Sequence, residues 1–325
     1  MKRVPANSSN GVKVTAAAFL EAGRERLRLK LVSGSREALA RTIDEPMVNR
    51  PGLALTGFYK NFAGRRVQTI GNAEWAYLAS LGAECRAERL SGLMNGHKAW
   101  LFVYTGGHKA PAADLRIAEA AGAVVMESAL STSVFSRLAT FVLERLAAPR
   151  TSFYGTMVEV CGLGTLLEGD PGVGKSETAL GLVRRGCALV ADDLTCIRKD
   201  VAANLLFGSA SDSTAGFMEI RGIGIVHVPS VFGVDSVRGE KRIQLVITLK
   251  RLEDVEGEVD RIGQKRLKRN ILGVEVPNVV VPVSEGRDLV NLVEMAARQQ
   301  KLVAAGRDSA LALSERLRKR ADGSI

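Results

Sequence analysis

Blocks of apolar and polar residues along the chain have periods that predict alternating strands and helices. The continuous apolar runs 99–105 and 123–126 are typical of strands that are buried on both faces. A helical period occupies residues 111–121 and returns from about 131 to 146. Strand, helix, strand, helix is the order of an α/β unit, so the pattern predicts an α/β domain in the N-terminal half.

This pattern breaks at residues 147–152, where a proline stands among small residues, and we place a domain boundary there. We therefore expect two domains, residues 1–148 and 149–325. In the second, TMVEV and TLLEG flank a Gly-Leu-Gly turn and predict a hairpin that leads into a glycine-rich loop. Further along, the pattern predicts helices over 176–185, 288–304 and 309–320 and strands over 187–193, 216–229 and 241–250, and hence a second α/β domain with a mixed sheet.

Composition narrows the class of protein without choosing a function. Of the 325 residues, 46% are hydrophobic and 25% are charged, which excludes a wholly disordered chain. Lys and Arg number 45 against 35 Asp and Glu, so the net charge is +10 and suits anionic partners such as nucleotides, phosphoproteins, nucleic acid or acidic membranes. No apolar run approaches about 18 residues, and the N-terminus lacks the apolar part of a signal peptide, so we expect a cytoplasmic protein without a membrane span.

The glycine-rich loop carries the most specific motif of the chain. Residues 169–176 read GDPGVGKS, which matches GxxxxGK[ST] between an apolar strand pattern and a helical one. Glycines allow a tight turn whose N–H groups face a phosphate, and the following helix directs its positive end at the same anion. The lysine reaches the β- and γ-phosphates of a nucleotide, and the serine hydroxyl reaches Mg²⁺. The predicted nucleotide-binding residues are Gly169, Asp170, Pro171, Gly172, Val173, Gly174, Lys175 and Ser176.

Acidic residues elsewhere suggest partners for this loop. Asp192 and Asp193 end the apolar strand CALV, where carboxylates can hold Mg²⁺, hold its water ligands or accept a proton; the alternative is a solvated strand end. Glu219 lies in the apolar segment 216–229, where burial is costly unless the carboxylate binds a metal or pairs with Arg221 on the same strand face. On pattern alone, Arg261 is a surface residue of a loop.

A basic cluster is the main sequence argument for a nucleic-acid partner. Lys265, Arg266, Lys268 and Arg269 lie close together, but no aromatic residues are interleaved for base stacking. A solvated surface explains the cluster equally well. We therefore expect no nucleic-acid partner.

Taken together, these segments resemble the HPr kinase/phosphorylase family of bacteria. In the first domain the resemblance rests on RPGLALTGFY, RVQTIG and RLAAPRTS, and in the second on GDPGVGKSETAL, RRGCALVADD, MEIRGIGIVHV and DRIG. It runs from about residue 50 to 300. GKSETAL followed by LVADD and EIRGIGI separates this family from other P-loop proteins.

The resemblance implies an ATP- and Mg²⁺-dependent kinase of a serine on HPr, the phosphocarrier of the sugar phosphotransferase system, or on its relative Crh. It also implies the reverse reaction, in which inorganic phosphate attacks the phosphoserine and pyrophosphate is released. Members of the family are homohexamers that act in the regulation of carbon metabolism.

The same resemblance assigns roles to individual residues. Lys175 and its loop bind the nucleotide, Ser176 and Glu219 match Mg²⁺ ligands, Asp193 matches the proton acceptor, and Arg261 matches a catalytic arginine.

Two departures from the family pattern concern the reverse reaction. Tyr154 stands where the family has a catalytic histidine, and a phenol with a pKa near 10 cannot replace a titrating imidazole at neutral pH. The segment 282–288 reads PVSEGRD, in which Glu285 places an acid where phosphate is expected to arrive. We therefore expect a protein that favours the kinase direction.

Two other functions fit part of the sequence. One is a non-catalytic regulator that binds a nucleotide and lost turnover with the change to Tyr154. The other is a P-loop NTPase that acts on nucleic acid, which the net charge would suit. Phosphate incorporation into HPr and nucleic-acid-stimulated ATP hydrolysis distinguish these alternatives.

Overall fold

The computed structural model describes residues 13–255 and 266–321. The chain divides into two compact units, with the division after Ala148. Each unit contains its own sheet and its own buried apolar core. The predicted class, an α/β protein of two domains, is confirmed.

The N-terminal unit is built on a five-stranded sheet in the order β1-β5-β4-β3-β2. Strands β2 to β5 are parallel, and β1 runs antiparallel to β5. The strands are β1 (Leu29–Ser33), β2 (Val48–Asn49), β3 (Val67–Ile70), β4 (Leu101–Tyr104) and β5 (Val124–Ser128). The helices are α1 (Ala16–Gly23), α2 (Arg36–Ala40), α3 (Gly52–Leu55), α4 (Asn72–Ser80), α5 (Ala83–Ser91), α6 (Ala112–Ala120) and α7 (Thr132–Ala147), with a π-helical turn at Gly92–Gly96.

The core of this unit explains why its strands read as continuous apolar runs. Every residue of β3, β4 and β5 is buried, as expected when a parallel sheet is covered on both faces. Helix α7 contributes Phe135, Ala139 and Leu143, which recur every fourth residue on its buried face. The helical and strand periods over 99–146 therefore predicted this part of the fold correctly.

The C-terminal unit is built on a nine-stranded mixed sheet. Its main path is β6-β10-β11-β14-β8-β7-β9, and β16 joins β14 in parallel while β15 pairs antiparallel with β16. Its strands are β6 (Arg150–Tyr154), β7 (Thr156–Val160), β8 (Leu163–Gly169), β9 (Ala188–Ala191), β10 (Leu194–Asp200), β11 (Leu205–Ser209), β14 (Glu240–Arg251), β15 (Leu267–Ile271) and β16 (Val274–Val283); β12 (Phe217–Ile220) and β13 (Gly224–His227) form a separate two-stranded sheet. The helices are α8 (Lys175–Arg184), α9 (Val228–Phe232), α10 (Leu289–Ala304) and α11 (Ser309–Ala321), with 3-10 turns at Val234–Ser236 and Leu252–Asp254.

Three parallel strands of this sheet end at one edge. β14 pairs in parallel with β8 on one side and with β16 on the other, and Leu249 aligns with Gly169 and with Val281. In open α/β sheets ligands bind outside the carboxyl ends of such strands. The glycine-rich loop follows β8 at this edge, and the segment 284–288 follows β16.

The structure differs from the sequence prediction at residues 216–229. They form a hairpin, β12 and β13, outside the main sheet, and not one strand. Gly222 and Gly224 both have positive φ, +82° and +101°, and turn the chain between the two strands. Ile223 and Ile225 are 76% and 77% exposed, so this apolar segment is not a buried strand.

No helix within residues 13–255 and 266–321 combines the length and the apolarity that crossing a membrane requires.

Candidate active site

The loop that joins β8 to α8 has a backbone that only glycines can form. Gly169, Gly172 and Gly174 have φ values of +153°, +80° and +100°. A Cβ atom at Gly169 would lie 2.5 Å from the carbonyl oxygen of Leu249 on the neighbouring strand. Gly174, in the left-handed region, is the N-cap residue of α8. The glycines thus let the chain leave the sheet edge and turn directly into a helix.

Side chains on both sides of the turn fix the loop. Val173 is buried in the core under the sheet edge, and the Thr178 hydroxyl donates to the carbonyl oxygen of Gly174 at 2.6 Å. The Lys175 ammonium donates to the carbonyl oxygens of Gly169 at 2.9 Å and Asp170 at 3.1 Å. The lysine charge is therefore held over the same turn whose N–H groups can bind a phosphate.

Asp192, at the end of β9, connects three parts of the site. Its Oδ1 accepts hydrogen bonds from the hydroxyls of Thr156 at 2.9 Å and Ser176 at 3.1 Å, and its Oδ2 accepts the backbone N–H of Glu219 at 3.2 Å. Burial raises the pKa of Asp192, and the negative charge of Asp193 adds to that rise, while the hydrogen bond from Thr156 opposes it. One carboxylate thus joins the phosphate loop to the β12–β13 hairpin.

Asp193 has a different environment from its neighbour. It is exposed, its φ is +57°, and its carbonyl oxygen accepts the N–H of Gly155 at 2.9 Å. Tyr154 precedes Gly155, pairs with Leu194 across β6 and β10, and is 69% exposed. The residue at the family's histidine position therefore lies on the strand beside Asp193, and both side chains are open to a large substrate.

The hairpin brings Glu219 and Arg221 to the phosphate loop. Met218 is buried and fixes the hairpin to the core, whereas Glu219 is exposed. Both terminal nitrogens of Arg221 lie 3.5 Å from the place where a Cβ of Gly172 would be, so this guanidinium lies against the phosphate loop. The alternative of a structural Glu219–Arg221 pair on one strand face is not found, because Arg221 lies in the turn after β12 and no ion pair joins the two in the described parts of the chain.

The segment 282–288 reaches the same edge of the sheet. The Arg287 guanidinium donates to the carbonyl oxygen of Pro282 at 3.1 Å, and Leu289 begins α10 with its Cδ1 3.5 Å from the position of a Cβ on Gly174. Glu285 is exposed in the turn between β16 and α10. The segment that carries the unexpected acid is therefore adjacent to the phosphate loop.

Family comparisons decide what kind of protein carries this arrangement. A family model described as the HPr Serine kinase C-terminal domain matches residues 145–317, and one described as the HPr Serine kinase N terminus matches residues 17–143. The chain belongs to the HPr serine kinase family. The resemblance inferred from the motifs is confirmed.

Individual relatives agree with this membership in the HPr serine kinase family. An HPr kinase/phosphorylase of Leptospira biflexa is 42% identical over 292 residues, which cover 90% of this chain and 90% of the relative. Proteins of the same name from Exiguobacterium and Streptococcus thermophilus are 39% and 35% identical, again over 90% of this chain. A solved structure of the Hpr(Ser) kinase/phosphatase from Coxiella burnetii is 32% identical and covers 50% of this chain and 98% of its own, with a TM-score of 0.46.

The side chains of this HPr serine kinase family member fit a Mg²⁺ ion. Mg²⁺ prefers oxygen ligands and is bound through one or two carboxylates together with substrate phosphates. The Ser176 hydroxyl and the Asp192 carboxylate place oxygen donors of this kind beside the phosphate loop, and the backbone N–H of Glu219 is bonded to the same carboxylate. Within the described residues no group of three or more His, Cys, Asp or Glu could hold a metal ion by itself.

Sequence reasoning found some residues of this site and missed others. The structure brings Lys175, Ser176, Asp193 and Glu219 to one end of the sheet, while Arg261 lies outside the described residues. The contacts of Thr156 with Asp192 and of Arg221 with the phosphate loop were missed. The contact between Thr156 and Asp192 follows from the register of β7 and β9, in which Met157 lies opposite Ala191. This register cannot be predicted from the sequence of either strand alone.

Proposed function

We propose that this chain is an ATP- and Mg²⁺-dependent protein serine kinase that phosphorylates the phosphocarrier HPr, or its relative Crh. The observation that carries the proposal is the arrangement of Lys175, Asp192, Asp193 and the Glu219 hairpin around one phosphate loop, in a chain of the HPr serine kinase family. Its relatives are named HPr kinase/phosphorylase.

The reaction is an in-line transfer of the γ-phosphoryl group of ATP. The serine oxygen of HPr forms a bond to phosphorus while the bond from phosphorus to the leaving ADP oxygen breaks, and Asp193 accepts the hydroxyl proton. The exposure of Asp193 supports this role, because a serine on a folded protein must reach it. The loop N–H groups and Lys175 bind the β- and γ-phosphates and offset their charge.

Mg²⁺ and Arg261 complete the proposed site. Ser176 and Glu219 would hold Mg²⁺, and Asp192 orients the Ser176 hydroxyl and the Glu219 backbone. When bound, the ion would offset the negative charge of the nucleotide phosphates. Arg261 stabilises the transferred group, a role that rests on the family resemblance.

The reverse reaction is slower than the forward one in this proposal. Phosphate attacks the phosphoserine, pyrophosphate leaves, and Asp193 returns its proton to the serine oxygen. The exposed Glu285 repels the incoming phosphate near the loop, and Tyr154 offers a phenol at the position where the family has an imidazole.

We further propose a cytoplasmic homohexamer that regulates carbon metabolism through the sugar phosphotransferase system. We propose no nucleic-acid partner, because three cations of the basic cluster already form ion pairs with acidic residues of the chain. Arg266 pairs with Asp308, Lys268 with Glu275 at 2.6 Å, and Arg269 with Glu168 at 3.1 Å.

Incubation with ATP, Mg²⁺ and the HPr of the same organism tests the proposal by intact mass. We expect one added phosphoryl group on HPr, none with Lys175→Ala, and the wild-type amount with Lys319→Ala, which removes an exposed lysine of α11. ATP binding without transfer would favour the non-catalytic regulator and contradict a kinase. ATP hydrolysis that rises only with added DNA or RNA would favour the nucleic-acid alternative.

A further inference from the structure

A pocket of about 330 Å³ lies in the N-terminal unit. It is formed where β1 begins, where β5 ends and where the loop after β4 crosses them. In the backbone register of β1 and β5, Leu29 lies opposite Ser128 and Lys30 lies opposite Glu127. This register fixes the place of the pocket. The pocket is outside the carboxyl ends of the parallel strands, which is the usual place for a ligand in an open α/β sheet.

Charge distinguishes this pocket from an ordinary surface depression. Four cationic side chains, those of Arg24, Arg28, Lys30 and Lys109, line it together with one carboxylate, Glu127. Glu127 is 9% exposed and is neutralised by the Lys109 ammonium at 2.7 Å and by the N–H of Ala110 at 3.0 Å. The pocket therefore has an excess of positive charge.

Two of these cations form no ion pair among the residues that the structure describes. Arg24 pairs with Glu21 at 2.9 Å on the exposed side of α1. Arg28 and Lys30 take part in no ion pair in the described segments of the chain. Both lie at the pocket, where their charges add to one another, and like charges at one site are unfavourable unless an anion joins them.

The backbone of the pocket is open to a ligand as well. Gly106 and Gly107 follow β4 with φ values of +75° and +79°, and nothing lies within 4 Å of where a Cβ of Gly107 would be. Gly107 lines the pocket and leaves its main chain open to close approach by a small ligand, whereas the Cβ position of Gly106 lies 3.0 Å from Asn72 Oδ1. His108, which also lines the pocket, stacks on Trp75 with 4.7 Å between ring centroids.

We propose that this pocket binds a small oxyanion that carries at least two negative charges, of the phosphate or pyrophosphate class, through Arg28 and Lys30. The pocket is large enough for an ion of this class, and the two cations without an ion pair suit a multiply charged one. This site is separate from the phosphate loop of the C-terminal unit and does not depend on the proposed kinase activity.

Tryptophan emission tests the proposal, because both tryptophans of the chain, Trp75 and Trp100, lie in the N-terminal unit. The probe is inorganic pyrophosphate, added to the full chain with the Lys175→Ala substitution so that binding at the phosphate loop is removed. Equilibrium dialysis of the same variant counts the bound pyrophosphate, and sodium chloride at equal ionic strength controls for screening.

We expect a saturable change in emission and about one bound pyrophosphate per chain. Arg28→Gln and Lys30→Gln are each expected to weaken binding about tenfold, since each removes one charged hydrogen-bond donor. Arg26→Gln is the matched control, because Arg26 is an exposed residue of the same turn and does not line the pocket.

Three results would overturn the proposal. They are no pyrophosphate bound by folded Lys175→Ala protein, an emission change that sodium chloride reproduces, and equal binding by the Arg28→Gln and Arg26→Gln variants. Unchanged thermal unfolding of each variant establishes that a loss of binding is local.

Discussion

Replacing Asp192 by asparagine is expected to disconnect the β12–β13 hairpin from the phosphate loop without unfolding the domain. Both hydroxyl bonds, from Thr156 and Ser176, end on Oδ1, and an asparagine oxygen in that position keeps them. The amide nitrogen then takes the place of Oδ2 and faces the N–H of Glu219, which is a donor facing a donor. A single bond is lost, and it is the bond that joins the hairpin to Asp192.

The size of this effect follows from the bond that is lost. Hydrogen bonds to a charged group contribute about 1.5–3 kcal/mol, so opening of the hairpin is expected to become about 10–150-fold more frequent. The free energy of global unfolding is expected to change much less, because a neutral amide does not bear the desolvation that raises the pKa of Asp192. Kinase turnover is expected to fall, since Glu219 is no longer held beside Ser176.

Amide hydrogen exchange measures the opening directly. Exchange at 217–227 is expected to accelerate in Asp192→Asn, while exchange in α8 stays at the wild-type rate. Asp212→Asn, at an exposed site ahead of the hairpin, is the matched control. Unchanged exchange at the Glu219 amide in folded Asp192→Asn protein would refute the reasoning.

The same residue gives stability a pH dependence of known sign. Because burial raises the pKa of folded Asp192 above its unfolded value, the folded state binds more protons between the two values. Below the pKa of Asp192 in the unfolded state, the side chain is neutral in both states and its burial costs no charge. Above its pKa in the folded state, the buried charge destabilises the folded protein fully. Wild-type stability therefore falls as the pH rises between these two pKa values. Urea unfolding of wild type and Asp192→Asn across the interval should show the variant gaining relative stability with rising pH; a constant difference would contradict this.

Three further predictions concern the loop and its neighbours. Asp193→Asn is expected to lower phosphoryl transfer about 10²–10⁴-fold with nucleotide binding retained, because asparagine tolerates the positive φ; loss of ATP binding in calorimetry would instead make Asp193 a metal ligand. Tyr154→His is expected to raise the rate of pyrophosphate release from phosphorylated HPr more than the forward rate, and equal forward and reverse rates in wild type would contradict this. Gly169→Ala is expected to destabilise the domain by about 1–3 kcal/mol in urea unfolding, because its Cβ would lie 2.5 Å from the Leu249 carbonyl oxygen; wild-type stability would contradict the glycine requirement.

The sequence predicted strands with a clear apolar or alternating pattern, such as β4 and β14, and missed several others. β10 contains Arg198, Lys199 and Asp200, and it is a strand because it pairs with β6 on one side and with β11 on the other. β16 contains two prolines, which argue against a strand, yet it pairs with β14 over six residues. Strands of this kind are specified by their neighbours in the sheet and not by their own composition.

The candidate site was predictable to the extent that one segment carries it. The phosphate loop contains its glycines, lysine and serine within eight consecutive residues, so its chemistry could be predicted from spacing alone. Asp192 and Thr156 are 36 positions apart, and Arg221 reaches Gly172 only because the chain turns at residues 221–223. Contacts between residues so far apart in the sequence depend on strand register and turn geometry, and no local sequence pattern determines these.

The hairpin has a consequence for surveys of variants. An isolated two-stranded sheet is marginally stable in water, and this one depends on buried Met218 and on the bond to Asp192. Most of its residues, including Ile223 and Ile225, add little to the buried core. A screen that scores protein abundance or melting temperature would therefore rate substitutions in the turn as neutral, while a screen that scores phosphorylation would rate them as damaging. The positions at which the two screens disagree would mark the residues of this hairpin.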